Sequence, residues 1–303
     1  MHFENSKLPR DMFKWRFLFL VAALLSGIVF NASAADKKIV LVAGRPSHGP
    51  AEHEHNAGVQ LLHKCLQGLP GISSTVYLNG WPKDPQAFDG ADTILFYADG
   101  GGSHPAIQGD HLKVLGDLMK KGVGLVCVHY AVEVPKEKGG PEFLQWLGGY
   151  FETFWSVNPH WDADFKELPK HPITRGVKPF KIRDEWYYHM RFPEDLKGVT
   201  PILSAVPPES TRNGGDSSHG GNAAVRARKG MSEHVAWAFE RPDGGRGFGL
   251  TGAHFHKNWG DPDFGKIVLN ALLWTAKAEV PPSGVECSIS SADLQKNMDP
   301  KGK

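Results

Sequence analysis

Apolar positions fall into short blocks along the chain. The run Lys38-Ile-Val-Leu-Val-Ala43 is apolar at successive positions, as a strand buried on both faces of a parallel sheet must be. A Gly/Pro loop at 44–50 follows, and then Val59, Leu61, Leu62, Cys65 and Leu66 gather on one side of a helix. Positions 75–78 and 93–97 read as strands, Leu112, Val114, Leu115 and Leu118 mark a second helix, and 123–128 is another buried strand. Such alternation predicts right-handed βαβ units in a parallel sheet. Between about 150 and 240 the pattern changes. Residues 180–192 alternate with period two, as half-exposed antiparallel strands do. Residues 201–206 and 234–239 extend the sheet region, a Ser/Gly loop at 211–222 interrupts it, 247–252 forms a further strand, and 267–274 closes the domain with a helix. The expected fold class is α/β, a mostly parallel sheet flanked by helices, with antiparallel additions in the 150–240 region.

The first stretch follows different rules. Arg10, Lys14 and Arg16 precede an apolar run at 17–30, and Ala32-Ser33-Ala34 supplies a small-residue cleavage site. That combination predicts a secretory signal peptide over 1–34 and an exported product, periplasmic or secreted. The run is shorter than the roughly 20 residues a spanning helix needs, which disfavours a membrane anchor. Four basic and two acidic residues precede Ala35, so 30 basic and 31 acidic residues remain. This balance argues against a nucleic-acid partner, which calls for a basic surplus. Residues 280–303, opening with Val280-Pro-Pro-Ser-Gly, read as a C-terminal tail. The three cysteines (65, 127 and 287) lack C-x-x-C spacing, so neither a disulfide scaffold nor a Cys-based zinc module is expected.

Histidine changes the picture most. There are 15, and several follow predicted strands, where open α/β sheets bind their ligands. His48, with His53 and His55, follows the first strand; His104 follows a glycine run at 100–102; His129 follows Val128; and His254 and His256 follow Gly252. His104, His129 and His254 are the first candidates for a divalent metal, zinc foremost, with His48 and His53 behind them. A metal-free general acid or base is the alternative. Glu54, Asp184 and Glu185 are the carboxylate candidates. On the alternating strand Glu185, Tyr187 and His189 share one face, and Asp184, Trp186 and Tyr188 the other. Gly101 and Gly102 suit backbone contacts to substrate oxygens, and Tyr130, Tyr188 and Trp259 suit contacts to a sugar, with Trp155, Trp161 and Trp186 as further stacking candidates. H-E-x-x-H is not completed after His53, and no nucleotide-binding glycine motif occurs, so no nucleotide cofactor is expected.

Several of these segments, taken in order, resemble the ThuA-like (trehalose utilization) family of the class I glutamine amidotransferase-like superfamily. They are the 39–43 opening, the glycine turn before His104, Gly122-Val-Gly-Leu-Val-Cys-Val-His-Tyr-Ala131, His171-Pro-Ile-Thr-Arg-Gly176, Asp184-Glu-Trp-Tyr-Tyr188, and Gly245-Arg-Gly-Phe-Gly-Leu-Thr-Gly-Ala-His254 ahead of Leu272-Leu-Trp274. The resemblance implies a flavodoxin-like fold over a domain at 35–279. It also implies a role in sugar metabolism, with a sugar oxidoreductase as a pathway partner. Amidotransferases of the superfamily carry a nucleophilic Cys at a strand–turn–helix elbow. Here that place belongs to His129, while Cys127 lies inside the strand. Glutaminase chemistry is therefore not expected. The leading expectation is an exported enzyme, a hydrolase, lyase or isomerase, acting on a sugar or glycoside, including an oxidised or keto sugar. Its centre would use His129, Glu185 and His254. The alternatives are a non-catalytic carbohydrate- or metal-binding module and, more weakly, an amidohydrolase-like relative without the Cys triad.

Overall fold

Strand β1 (Lys37–Ala43) has five consecutive fully buried residues, because both faces of the sheet are covered at that point. A computed structural model describes residues 36–301, and the predicted leader at 1–34 lies outside the described residues. β1 lies between β2 (Ile72–Tyr77) and β3 (Thr93–Tyr97), followed across the sheet by β4 (Gly124–Val128). The other strands are β5 (His160–Phe165), β6 (Phe180–Glu185), β7 (Val199–Ala205), β8 (Glu233–Glu240) and β9 (Arg246–Leu250). The seven-stranded sheet has the order β2-β1-β3-β4-β9-β8-β7. Its first five members run parallel, and β8 and β7 pair antiparallel. This is a flavodoxin-like α/β fold, and the antiparallel additions β5 to β8 fall in the expected 150–240 region.

Side-chain alternation sorts the core into two layers. Ile39, Leu41, Leu95 and Val126 point toward α1 (His55–Leu66) and the long helix after β9. Val40, Val42, Ile94 and Cys127 point toward α2 (His111–Met119) and α3 (Gly140–Trp146) on the other face. A short α4 (Ala223–Ala227) precedes β8; α5 (Pro262–Thr275) is the closing helix, and α6 (Ser291–Leu294) lies near the end of the chain. Asp261 caps α5 by accepting from Asp263 N and Phe264 N, with Pro262 at the first helical position. Among the described residues no helix is long and apolar enough to cross a membrane.

One expectation about the strands needs adjustment. The alternating segment at 180–192 leaves regular pairing after Glu185, and only isolated bridges continue, Val157 with Tyr188 and Tyr150 with Arg191. The reason is burial: Trp186, Tyr187 and Tyr188 are all buried, so the segment is enclosed rather than half-exposed. Its antiparallel partner is β5, whose burial also alternates.

The segment at 280–301 is packed against the body. Val280 and Val285 are buried, Val285 N donates to Asn270 Oδ1, and Lys64 pairs with Asp293 at 2.7 Å. Cys65 of α1 forms a disulfide with Cys287 across a sequence separation of 222, a single bond where the sequence led to no disulfide scaffold. Nothing in that spacing marks the pair; the packed terminal segment brings Cys287 to the helix. Cys127 is free and buried in β4, and burial raises its thiol pKa, which fits a small core residue. Thiol titration of the oxidised, denatured chain is expected to find one free cysteine, and three would refute the pairing. Cys65→Ser should lower unfolding stability in denaturant by about 2–4 kcal/mol.

Candidate metal centre

The strand ends and the loops after them deliver the site. His129 is the first residue beyond β4 and has a left-handed backbone, φ +57°. Such a conformation costs an L-residue about 1–3 kcal/mol, and it turns the imidazole out at the rim of the sheet. There His129 Nδ1 lies 2.8 Å from Thr251 O, just beyond β9. A carbonyl can only accept, so the proton resides on Nδ1 and Nε2 carries a lone pair. His53, in the loop after β1, has φ +45°. Its backbone N–H donates to His254 O at 3.0 Å, and its Nδ1 lies 3.0 Å from Asp99 Oδ1. The same logic leaves His53 Nε2 as a lone pair. His254 follows Ala253, whose φ is +90°.

Asp184 sets the positions of the last two groups. Its buried carboxylate accepts from Ala253 N, His254 N, Glu185 N and Asn258 Nδ2 at 2.8–2.9 Å. Burial raises its pKa against the opposing pull of these hydrogen bonds. One carboxylate thereby locks the loop of His254 to the end of β6, where Glu185 stands. Asn158 Nδ2 donates to Glu185 Oε1 at 3.1 Å, leaving Oε2 for the centre.

Four donor atoms form a ring. His53 Nε2 is 3.0 Å from His129 Nε2 and 3.1 Å from His254 Nδ1. Glu185 Oε2 is 3.4 Å from His129 Nε2 and 3.1 Å from His254 Nδ1. All four atoms lie within 4.8 Å of one another. The centre of a ring with such edges lies about 2 Å from each donor, the length of a zinc–nitrogen or zinc–oxygen bond. Burial, with the neighbouring histidines, drives the pKa of His53 and of His129 far down, so both are neutral near pH 7. For His254 burial acts downward, but the hydrogen bond and charge of Glu185 outweigh it and raise the pKa. Glu185 is lowered despite its burial, chiefly by its bond to His254. A proton on His254 can serve Glu185 or His53, but it leaves His53 and His129 facing each other with two lone pairs. A cation between them removes that conflict, so these groups are placed to hold a metal ion. Three ligands have a hydrogen-bonded partner behind them, Asp99 or Thr251 O behind an imidazole and Asn158 behind the carboxylate, whereas His254 Nε2 has only the charge of Glu52 Oε1 at 3.6 Å.

Of the residues expected from sequence, His129, Glu185 and His254 converge, and His53 joins them as a full member. His48 is exposed and stacks on His53 with ring centroids 3.5 Å apart, but stays outside the ring. His104 does not converge. The helical turn at Gly101–Ser103 carries the chain past the rim, and His104 packs against Phe96 and Phe143 on the opposite face of the sheet. Its Nε2 contacts Ala131 O and its Nδ1 accepts from Ala106 N, so it fixes loops, and burial lowers its pKa to about 4.

Tyr188 is buried with its hydroxyl on Thr211 O, and Trp259 is buried against Tyr97 and Phe264; neither reaches the centre. Trp161 and Trp186 are core residues, and Trp155 stacks on His189 and Arg191. Tyr130 does stand at the rim, half-buried, its ring 6.0 Å from that of His53. A Cβ placed on Gly101 would lie 3.4 Å from the Tyr130 hydroxyl, so Gly101 borders the rim too. Glu54 holds the C-terminal segment through Asp299 N and Lys301 and takes no part in the ring.

Sequence reasoning missed four contributors. Asp99 directly follows the predicted β3, a position that could have drawn notice. Tyr187 shares a face with Glu185, and its hydroxyl is 3.3 Å from Glu185 Oε2 and 3.4 Å from His129 Nε2. His160 is paired in register with Glu185 and lies 3.7 Å from its Oε1. The alternating His160-Trp-Asp-Ala-Asp-Phe165 run marks the strand that carries it, though not the strand it pairs with. Asn158 carries no signal of its own.

Comparison with known proteins agrees with this architecture. Residues 40–275 match the model of the ThuA family, described as "Trehalose utilisation". The fold is similar to that of a ThuA-like protein from Bacteroides uniformis, with TM-score 0.57, 16% identity, and coverage of 82% of this chain and 95% of that one. A ThuA-like protein from Parabacteroides merdae gives TM-score 0.56 and 14% identity, covering 86% of this chain and 99% of that one. No curated protein matches the chain. With the family pattern spanning most of its length, the chain belongs to the ThuA family, which is implicated in trehalose utilisation.

Proposed function

We propose that this protein is an exported, metal-dependent enzyme acting on a sugar or glycoside, with its centre at His53, His129, His254 and Glu185. The observation that carries the reading is the ring of four donors, in which two neutral imidazoles face each other at 3.0 Å with no proton to share. Three nitrogens and one carboxylate oxygen suit zinc first among divalent ions. A bound zinc would act there as a Lewis acid toward a sugar oxygen or water. The chain's own groups then hold and orient the substrate. Burial raises the pKa of Tyr187 well above the ordinary value, so its hydroxyl stays a donor beside Glu185. Tyr130, pushed up to about 12 chiefly by burial, also stays protonated, and it stands half-exposed at the rim. Hydroxyl donors beside Glu185 and at the rim suit a substrate rich in oxygen atoms. Export is supported by the leader pattern and by the Cys65–Cys287 disulfide, since such bonds persist in oxidising compartments.

A second reading draws on the same ring. Four protein donors can fill a tetrahedral shell, as in structural zinc sites, and that would suit a non-catalytic module. Turnover separates the two.

Protein purified without a histidine tag is expected to hold about one zinc per chain and to lose thermal stability when a chelator removes it, as a ligand of the native state must cause. A protein that binds no divalent ion, with a melting temperature indifferent to chelator, refutes the metal reading. His129→Ala and Glu185→Gln should each weaken metal binding at least tenfold and abolish turnover of a glycoside panel that includes trehalose, while circular dichroism shows the fold retained. Turnover at the wild-type rate in both variants would place the chemistry elsewhere. Metal binding without turnover by the wild type would favour the non-catalytic module.

A further inference from the structure

A second polar opening lies beside the metal centre. The order β2-β1-β3 means that the chain leaves β1 toward one edge and returns across it to β3, and a crevice forms above the carboxyl ends at such a reversal. Here it is a cavity of about 780 Å³, reached by the loops after β1, β2 and β3 and lined by Arg45, Trp81, Lys83, Asp99, Gly102 and Gln108 among others. That volume lies within the range of small-molecule sites.

The lining groups are held with hydrogen-bonding capacity left over. Asp99 uses one oxygen, Oδ1, for both Ser47 Oγ at 2.8 Å and His53 Nδ1 at 3.0 Å. Among the described residues its Oδ2 has no hydrogen-bond partner. Gln108 donates from Nε2 to Gly102 O and His104 O, which fixes the amide and leaves Oε1 without a partner among the described residues. Arg45 and Lys83 likewise have no side-chain hydrogen bond or ion pair among the described residues, so their donors are available. Trp81, half-buried in the wall, stacks on His111 at 3.8 Å with an interplanar angle of 7°, which holds the indole in place and leaves only its uncovered part for a ligand. Fixed acceptors, available donors and a flat apolar wall match a pyranose, which offers hydroxyls around its edge and C–H groups on its faces. Arg45 and Lys83 share the lining with the single carboxylate of Asp99, so it offers both donors and acceptors, as hydroxyl groups require.

We propose that this crevice binds a neutral pyranose sugar, with Asp99 Oδ2 and Gln108 Oε1 accepting from its hydroxyls, Arg45 and Lys83 donating to its oxygens, and Trp81 packing on the ring. The ligand class rests on the sugar reading above. Asp99 then joins two tasks in one carboxylate: Oδ1 orients His53 at the metal centre and Oδ2 takes a sugar hydroxyl in the crevice. Sugar bound here lies one residue away from the donor ring.

Gly102 provides the test. It lines the cavity, its backbone is not left-handed, and a Cβ built there meets nothing within 4 Å, so a larger side chain can be introduced at the cavity wall without a clash at the Cβ. Saturation-transfer NMR and calorimetry with trehalose and with glucose are run on the wild type, in metal-loaded and chelated forms, and on Gly102→Phe and Trp81→Ala. Wild-type protein should bind at least one of the two sugars, and Gly102→Phe should remove that binding. Trp81→Ala should weaken it about tenfold, the order expected for loss of an aromatic contact. Metal content and melting temperature of Gly102→Phe should equal those of the wild type. Equal sugar affinity in wild type and Gly102→Phe overturns the proposal, and so does the absence of binding of either sugar to the wild type. Sugar binding that survives chelation supports the crevice even if the metal reading fails; normal metal content without sugar binding overturns the crevice alone.

Discussion

Two imidazole nitrogens that both carry lone pairs stand 3.0 Å apart in a buried pocket, and much of the surrounding structure serves to keep them there. Left to themselves, His53 and His129 would rotate until one ring donated to the other. They cannot, because each is fastened at its opposite nitrogen, one to a carboxylate and the other to a backbone carbonyl. The proton position at the rim is thus decided by the partner on the far side. Such fastening orients imidazoles toward a cation and raises their basicity as ligands, while burial keeps a competing proton away.

Holding that arrangement requires strain in several loops at once. His48, Ala51, His53, His129 and Ala253 all have left-handed backbones, although none is glycine. At about 1–3 kcal/mol each, such conformations persist only where neighbouring contacts over-determine them. The parallel sheet supplies this support from below, since β1, β4 and β9 enter the site from adjacent or nearby positions in the buried core. Asp184 supplies it from the side: four hydrogen bonds converge on one buried carboxylate and tie the loop after β9 to the end of β6. The antiparallel additions therefore bring Glu185 to a rim otherwise built from parallel strands.

The sheet was legible because its strands are buried on both faces and so appear as apolar blocks; the run at 93–97 coincides with β3. Histidines at strand ends were legible for the same reason, since an end of a parallel strand is a place, and His129 and His254 follow directly from it. His104 shows the limit of the argument. It too follows a strand, but a three-residue helical turn intervenes, and no pattern in Gly-Gly-Gly-Ser tells which side of the sheet the next residue reaches. Pairing partners were least legible. His160 faces Glu185 only because β5 pairs with β6, and Cys65 meets Cys287 only because a distant segment packs on α1. Local spacing carries no trace of contacts made across the fold.

That distant segment bears on the site itself. The loop carrying His53 is held on one side by the bond from His53 N to His254 O. On the other side stands Glu54, almost wholly buried, whose carboxylate accepts from Ala51 N and from Asp299 N and pairs with Lys301 at 3.1 Å. Lys301 also donates to Glu52 O, and Glu52 contributes the carboxylate behind His254. The C-terminal residues thus brace the same short loop that supplies one metal-facing imidazole and the partner of another. The Cys65–Cys287 bond secures this segment to α1, the helix that begins immediately after Glu54. Covalent closure, a buried ion pair and a strained histidine therefore lie in sequence along one mechanical path, and the positioning of His53 depends on residues nearly 250 positions away.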